Sequence, residues 1–485
     1  MEMSNEQIHA VISDSLAGYS YLQSLTPTER AGLMYAVADE IEALDDTLLQ
    51  TAHRETALPL PRLQGEKGRT VNQWRSYAAA LKTGLYAEAR IDRGDGAAKA
   101  DIRKYNKGIG PVAVFGASNF PFAFSTAGGD TASAIAAGCP VVYKEHPGHP
   151  ATSRLMADAI QRGLAKFGAP KTVFGYLQGS TNAVGEALVV HPVIKAVAFT
   201  GSFRGGKALF DLGMSRTEPI PVFAEMGSVN PVIALPVYLQ EHAAVLAAQY
   251  VGSLTLGVGQ FCTNPGLLIV VKGEATTSLK EALRLEIQKV GDATMLHAGI
   301  CKAYLEGKTT LAAQEHVSLL GEGAPGNGTT AGAAIYATSG RALLQNEVLA
   351  HEVFGPTGLL IECDSMNELY DVVRSLDGQL TITLAATAAE AQQNMALLQA
   401  AQEKCGRLLF QGMPTGVEVV YGMHHGGPFP ATTDSRFTSV GPDAVKRFLR
   451  PLSFQNWPDA LLPAELQEGN PLKIGRIVDN VYTVN

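Results

Sequence analysis

The chain has 485 residues, too many for one ordinary domain. Its 46% hydrophobic content excludes a disordered chain, and its net charge of −8, from 38 basic and 46 acidic residues with no basic stripe, argues against a nucleic-acid partner. Charged residues make up 17%, below the usual share of about 25%, and glycine reaches 50 residues, so a large buried interior with close backbone approaches is expected.

The N-terminus lacks the basic start and apolar core of a signal peptide. The apolar run Leu267-Leu268-Ile269-Val270-Val271 is too short to span a bilayer. The five cysteines are odd in number and form no CxxC pair. A cytoplasmic protein with free thiols and no membrane partner is therefore expected.

Taken in chain order, Thr26-Pro27-Thr28-Glu29 is a capping box with proline at the first helical position. Leu33, Met34, Val37, Ile41, Leu44 and Leu48 follow at helical spacing. A second helix begins after Pro61 and carries Leu63, Val71 and Trp74. Polar alternation around residues 85–108 predicts a hairpin.

From residue 109 short apolar strands alternate with helices. Strands are expected at 109–115, 140–144, 173–177, 194–200 and 221–224, and helices at 123–137, 152–167, 183–190 and after Gly201. This alternation predicts a parallel sheet covered on both faces. Ligands bind beyond the carboxyl ends of such strands. The loops opening at Gly116, Lys144, Thr200 and Glu225 are thus expected to line one crevice. A second alternating region includes a helix at 238–253, a strand at 266–271 and a helix at 276–290. Residues 450–485, rich in proline and polar groups, read as a tail packing on a neighbour.

Cys262 stands in Gly257-Val-Gly-Gln260-Phe-Cys262-Thr-Asn-Pro-Gly266, a loop with room for a ligand. A lone cysteine also suits a small core position. Glu225 ends a strand facing the crevice, where a carboxylate can activate water. Asn119 follows the first strand of the sheet, and its amide can donate to a developing oxyanion. Lys144 ends the next strand within reach of a phosphate or ribose. No metal is expected: His146 and His149 are separated by Pro147 and Gly148, and His424 and His425 are adjacent, so neither pair has ligand spacing. A Walker loop and a strict GxGxxG are both absent.

Six segments occur in one order: Gly116-Ala-Ser-Asn119-Phe-Pro121, Lys144 after a buried strand, Phe199-Thr-Gly201-Ser202, Glu225-Met-Gly227, Gly259-Gln260-Phe-Cys262 and Glu352-Val-Phe354-Gly355-Pro356. Together they resemble the aldehyde dehydrogenase superfamily from about residue 20 to 450. The resemblance implies an α/β fold with three parts. These are a doubly wound NAD(P)-binding domain (1–225, with the hairpin near 85–108 in an oligomerisation arm), a catalytic domain (226–425), and a return segment with an oligomerisation tail (426–485). It also implies a homodimer or homotetramer and a small-molecule aldehyde as substrate.

Under this resemblance Cys262 is the nucleophile, forming a thiohemiacetal and then a thioester. Asn119 and the Cys262 backbone N–H steady the oxyanion, and Glu225 activates water to release free acid. Relatives that pass the acyl group to coenzyme A often lack that base. Glu352 matches the residue on the nicotinamide ribose and Phe354 the one packed beside it. Gly201 and Ser202 match the pyrophosphate segment, and Lys144 the contact to the adenosine ribose. NAD-preferring relatives often carry a glutamate three residues after that lysine, where this chain has Pro147. Lys144, with His146 or Arg204, then pairs a 2′-phosphate, so NADP is the expected cofactor and NAD the alternative.

The segment Asn119-Phe-Pro-Phe-Ala-Phe-Ser125 lacks the tryptophan that many relatives place before the asparagine. The ending, through His425-Gly-Gly427-Pro428-Phe-Pro430 and Asp434-Ser-Arg436-Phe-Thr438, is similar to the 2,5-dioxopentanoate (α-ketoglutaric semialdehyde) dehydrogenases. Oxidation of that aldehyde to 2-oxoglutarate, as in sugar-acid breakdown, is the reaction implied. NADP-dependent fatty aldehyde or other semialdehyde dehydrogenases are the second reading, and a non-redox thiol esterase or acyl transferase is the reading from a different class. A keto-acid aldehyde needs a cation or several N–H donors for its carboxylate. Arg436 is the expected anchor, with Phe124 and Phe261 as pocket walls.

Overall fold

The computed structural model describes residues 2–484 and is built around three large sheets, with a small two-stranded one joining 293–294 to 330–331. The first has five parallel strands: Phe174–Leu177, Val141–Lys144, Val112–Phe115, Ala196–Thr200 and Val222–Glu225, in that spatial order. Val112–Phe115 is buried at every position, as a central strand with helices on both faces requires. From this strand the chain first winds to one side, through 141–144 to 174–177. It then crosses to the other side, to 196–200 and 222–225. The strand order therefore reverses beside Val112–Phe115. A crevice opens at such a point, beyond the carboxyl ends of the strands. Asn119 follows one flanking strand and Gly201 the other.

The second sheet has seven strands ordered 318–322, 334–339, 357–363, 267–271, 232–234, 379–385 and 405–410. All neighbours are parallel except the first pair. The third joins the hairpin Arg90–Asp92 and Ile102–Gly108 to Leu449–Gln455, Arg476–Val478 and Val481–Thr483. The described residues from 450 to 484 thus contribute strands to this sheet. The chain between the second and third sheets returns to the first. Met226 N–H donates to Ala431, Thr433 N–H donates to Ala224, and Thr432 bridges Glu225.

Two local differences from the sequence expectation matter. A further helix, Asn5–Ser24, precedes the one at Pro27–Glu42, its start marked by a Ser4/Gln7 capping box. The helix expected from 123 begins only at Gly129 and ends at Ala136. The residues before it are drawn aside by Glu66, whose Oε1 accepts from the N–H groups of Phe122 and Ala123 at 2.8 and 3.0 Å. Glu66 lies on the helix Leu60–Leu81, which also buries Trp74 and Tyr77.

Candidate active site

Cys262 follows a tight turn, Leu256–Gly259, in which Gly257, Val258 and Gly259 all have positive φ. Gly259 is required there: a Cβ would lie 2.3 Å from the Gly355 carbonyl carbon. Buried Asn230 pins the loop, its amide donating to the Cys262 carbonyl at 2.8 Å and to that of Asn264 at 3.0 Å. Gln379 Oε1 accepts from the N–H groups of Val229 and Asn230. The thiol position is therefore set by backbone contacts from three separate segments.

Glu225 ends its strand buried and converges on this thiol. His425, weighed from sequence only as a metal ligand, joins them. His425 Nε2 lies 3.5 Å from Cys262 Sγ and 2.9 Å from Glu225 Oε1. Apart from this close His425 contact, Oε1 has no aligned donor among the described residues. Oε2 accepts from Ser439 Oγ at 2.6 Å. Ligand atoms of Glu225, Cys262 and His425 all fall within 4.8 Å of one another, a convergence that residue spacing alone does not reveal.

Electrostatics divide the roles. Burial pushes Glu225 upward, but the adjoining His425, the Ser439 hydroxyl and the thiol outweigh it and hold the carboxyl below its usual range. Burial, then the charges of Glu225 and Glu352, push the Cys262 thiol well above its ordinary value. The carboxylate is thus a ready base and the thiol a latent nucleophile. The other thiols lie elsewhere. Burial pushes Cys139 and Cys405 up to about 11 and Cys363 to about 12.

Asn119 is buried, and its Nδ2 donates to the Gln260 carbonyl at 3.0 Å, next to the thiol loop. Phe120, Phe124 and Phe261 form a wall, with Phe120 at 5.3 Å from each of the other two rings. Phe124 also lies 6.1 Å from the His425 ring. Arg62 and Arg69 stand over these rings, and Arg407 also feels the thiol's charge.

The expected nucleotide residues occupy the crevice side. Ser202 caps the helix Phe203–Met214, accepting from Gly205 N–H at 3.3 Å, and Gly201 is tied to Glu225 through the backbone. Gly201, Ser202 and Arg204 are exposed, and Lys144 is half-buried at its strand end. Glu352 folds towards Gly227, where a Cβ would meet its carboxyl at 2.5 Å. Burial of the carboxyl end pushes it upward from the usual carboxylate range, although the residue as a whole is exposed. Glu352 and Phe354 line one cavity with Ser228, Gly259 and Asn264. A lysine, an exposed helix N-terminus and a hydroxyl at a strand switch point suit a dinucleotide.

Two of the expected residues have other partners in the structure. Arg436 is exposed and pairs with Asp434 through Nε and Nη2 at 2.8 and 2.5 Å. Burial, then His149, Lys144 and His297, push His146 well below its ordinary value, which disfavours its charged form. It stacks on His149, and its Nδ1 accepts from Gly148 N–H.

The model of the aldehyde dehydrogenase family matches residues 1–427. The chain belongs to this family. An α-ketoglutaric semialdehyde dehydrogenase 2 of Azospirillum brasilense is 47% identical over 93% of this chain and 87% of its own. An α-ketoglutaric semialdehyde dehydrogenase of Acinetobacter baylyi is 46% identical over 96% of this chain and 89% of its own. Among solved structures, a glyceraldehyde-3-phosphate dehydrogenase from Methanocaldococcus jannaschii superposes with a TM-score of 0.79. It is 17% identical and is covered over 94% of this chain and 95% of its own, a likeness of fold. This aldehyde dehydrogenase is an oxidoreductase of a family that uses NAD(P). None of its described helices is long and apolar enough to cross a membrane.

Proposed function

We propose that this enzyme oxidises α-ketoglutaric semialdehyde to 2-oxoglutarate with NADP. The observation that carries the chemistry is the convergence of Cys262, Glu225 and His425 beside Asn119. The two relatives above, by their names, support the substrate.

The thiol loses its proton to solvent, and the thiolate adds to the aldehyde carbon. Asn119 and the Cys262 N–H donate to the resulting alkoxide. When bound, the nicotinamide supplies the hydride acceptor. Collapse of the alkoxide, with loss of hydride, leaves an acyl thioester on Cys262. Glu225 Oε1 then takes a proton from water, the hydroxide adds to the thioester, and carboxylate departs as the thiol re-forms.

NADP preference is supported by Pro147 at the position discussed above and by Glu145, whose carboxylate is buried against Tyr176 and Arg154. Lys144 and Arg204 remain as the phosphate's cations. The roles of Ser202, Gly201, Glu352 and Phe354 in holding the dinucleotide belong to this proposal. So does a cytoplasmic homo-oligomer built through the third sheet, where Val481 and Tyr482 are 64% and 62% exposed.

Aldehyde-dependent NADPH formation by the wild type and by Cys262→Ala tests the reading. NADPH formation is expected only with the thiol, and kcat/KM is expected to be higher with NADP than with NAD. Activity surviving in Cys262→Ala contradicts the nucleophile, and a preference for NAD contradicts the cofactor assignment.

A further inference from the structure

The helix Leu60–Leu81 carries Arg62, Glu66 and Arg69 at positions i, i+4 and i+7, which share one face. That face looks onto the aromatic wall. The Arg62 guanidinium stands 4.9 Å from the centres of both Phe120 and Phe261, and that of Arg69 5.7 Å from Phe124.

Each guanidinium is anchored once and otherwise unmatched. Arg62 Nη2 donates to the Asn119 carbonyl at 2.7 Å, leaving Nη1 buried without a partner. Arg69 Nη1 donates to the Val417 carbonyl at 2.5 Å, leaving Nε and Nη2 buried without partners. Among the described residues no carboxylate bonds either group. Glu66, the acid that acts most on both, is turned to the N–H groups of Phe122 and Ala123, and exposed Glu418 acts more weakly on Arg69. Buried, unbonded cationic N–H groups destabilise a fold unless something else satisfies them.

The orphaned atoms of Arg69 have a specific shape. Nε and Nη2 form the side-on edge of a guanidinium, which matches the two oxygens of one carboxylate. This chain uses the same edge elsewhere: Arg436 grips Asp434 with it, and Arg284 grips Glu281 at 3.0 and 2.7 Å. The edge on Arg69 has no internal carboxylate. It lies close enough to Cys262 for the thiolate's charge to act on it. Phe124 links the two, packing under Arg69 and beside His425.

We propose that Arg69 binds the carboxylate of an anionic semialdehyde side-on through Nε and Nη2, with Arg62 as the second cation, so that the aldehyde end reaches Cys262. This deepens the functional reading above and rests on it. It moves the carboxylate anchor from Arg436 to the helix Leu60–Leu81.

The test compares kcat/KM for α-ketoglutaric semialdehyde with that for pentanal, an uncharged aldehyde of the same carbon count. The enzymes are the wild type, Arg69→Met, Arg69→Gln and Arg62→Met, each with saturating NADP. Arg69→Met is expected to lower the ratio by about 100-fold, mainly through KM for the charged substrate. Arg62→Met is expected to lower it less. Arg69→Gln, which keeps a donor for the Val417 carbonyl, carries the test if the methionine variant does not fold. Calorimetric binding of 2-oxoglutarate to the wild type is expected to be lost in the same variants. A ratio within about threefold of wild type in both Arg69 variants overturns the clamp while leaving the functional reading intact. A wild type that does not prefer the charged aldehyde overturns the functional reading first.

Discussion

Cys262 and Glu225 oppose each other in one respect and cooperate in another. The carboxylate that takes up protons also holds the thiol protonated by its charge. Neutralising it should therefore lower the thiol's pKa while removing the hydrolytic base. Glu225→Gln is expected to be alkylated by iodoacetamide faster than wild type at pH 7, by about tenfold, while steady-state turnover falls by at least about 100-fold. Slower alkylation of the variant contradicts this electrostatic account. In the wild type the alkylation rate should rise with pH, since the raised thiol loses its proton only in alkaline solution. Cys262, Glu225 and Asn119 were readable from sequence because each sits in a short motif. His425 and Ser439 were not. They approach from 163 and 214 residues away, and local spacing carries no trace of such contacts.

The helix Leu60–Leu81 links packing to chemistry at the next scale. Trp74 is fully buried and donates to the Ala127 carbonyl at 2.8 Å, and Glu66 gathers the N–H groups just after Asn119. Glu66→Ala leaves those two buried N–H groups without an acceptor. It is expected to destabilise the protein by about 2–4 kcal/mol and to loosen the Asn119 loop. Urea unfolding measures the first effect and a fall in kcat the second. Stability within about 0.5 kcal/mol of wild type contradicts the role assigned to Glu66. The helix was legible from the apolar positions Leu63, Val71 and Trp74. Its polar face was equally readable at i, i+4 and i+7, but charged residues at that spacing ordinarily mark a solvated surface. Only the burial of Glu66 separates the two meanings. The early start expected for the helix Gly129–Ala136 has the same origin, since small residues fit either the helix or the Glu66-bound loop.

Across the whole molecule, strand–helix alternation gave the parallel sheet, and the order of its strands placed the crevice. The third sheet was only half legible, because its hairpin pairs with strands nearly 400 residues away. Its last strand, Val481–Thr483, lies at the rim of the sheet with Val481 and Tyr482 exposed, an apolar surface of the kind that subunit interfaces cover. Light scattering is expected to give a multiple of the chain mass for the wild type and a smaller assembly for Val481→Lys with Tyr482→Asp; a monomeric wild type contradicts an interface there. The central claim remains the substrate: an aldehyde whose far end is a carboxylate, carried to Cys262. The most direct measurement is the ratio of kcat/KM for α-ketoglutaric semialdehyde to that for decanal, with NADP, in the wild-type enzyme. A ratio of about 100 or more is predicted from one desolvated, charge-assisted contact. A ratio below one, favouring the long alkanal, contradicts the account.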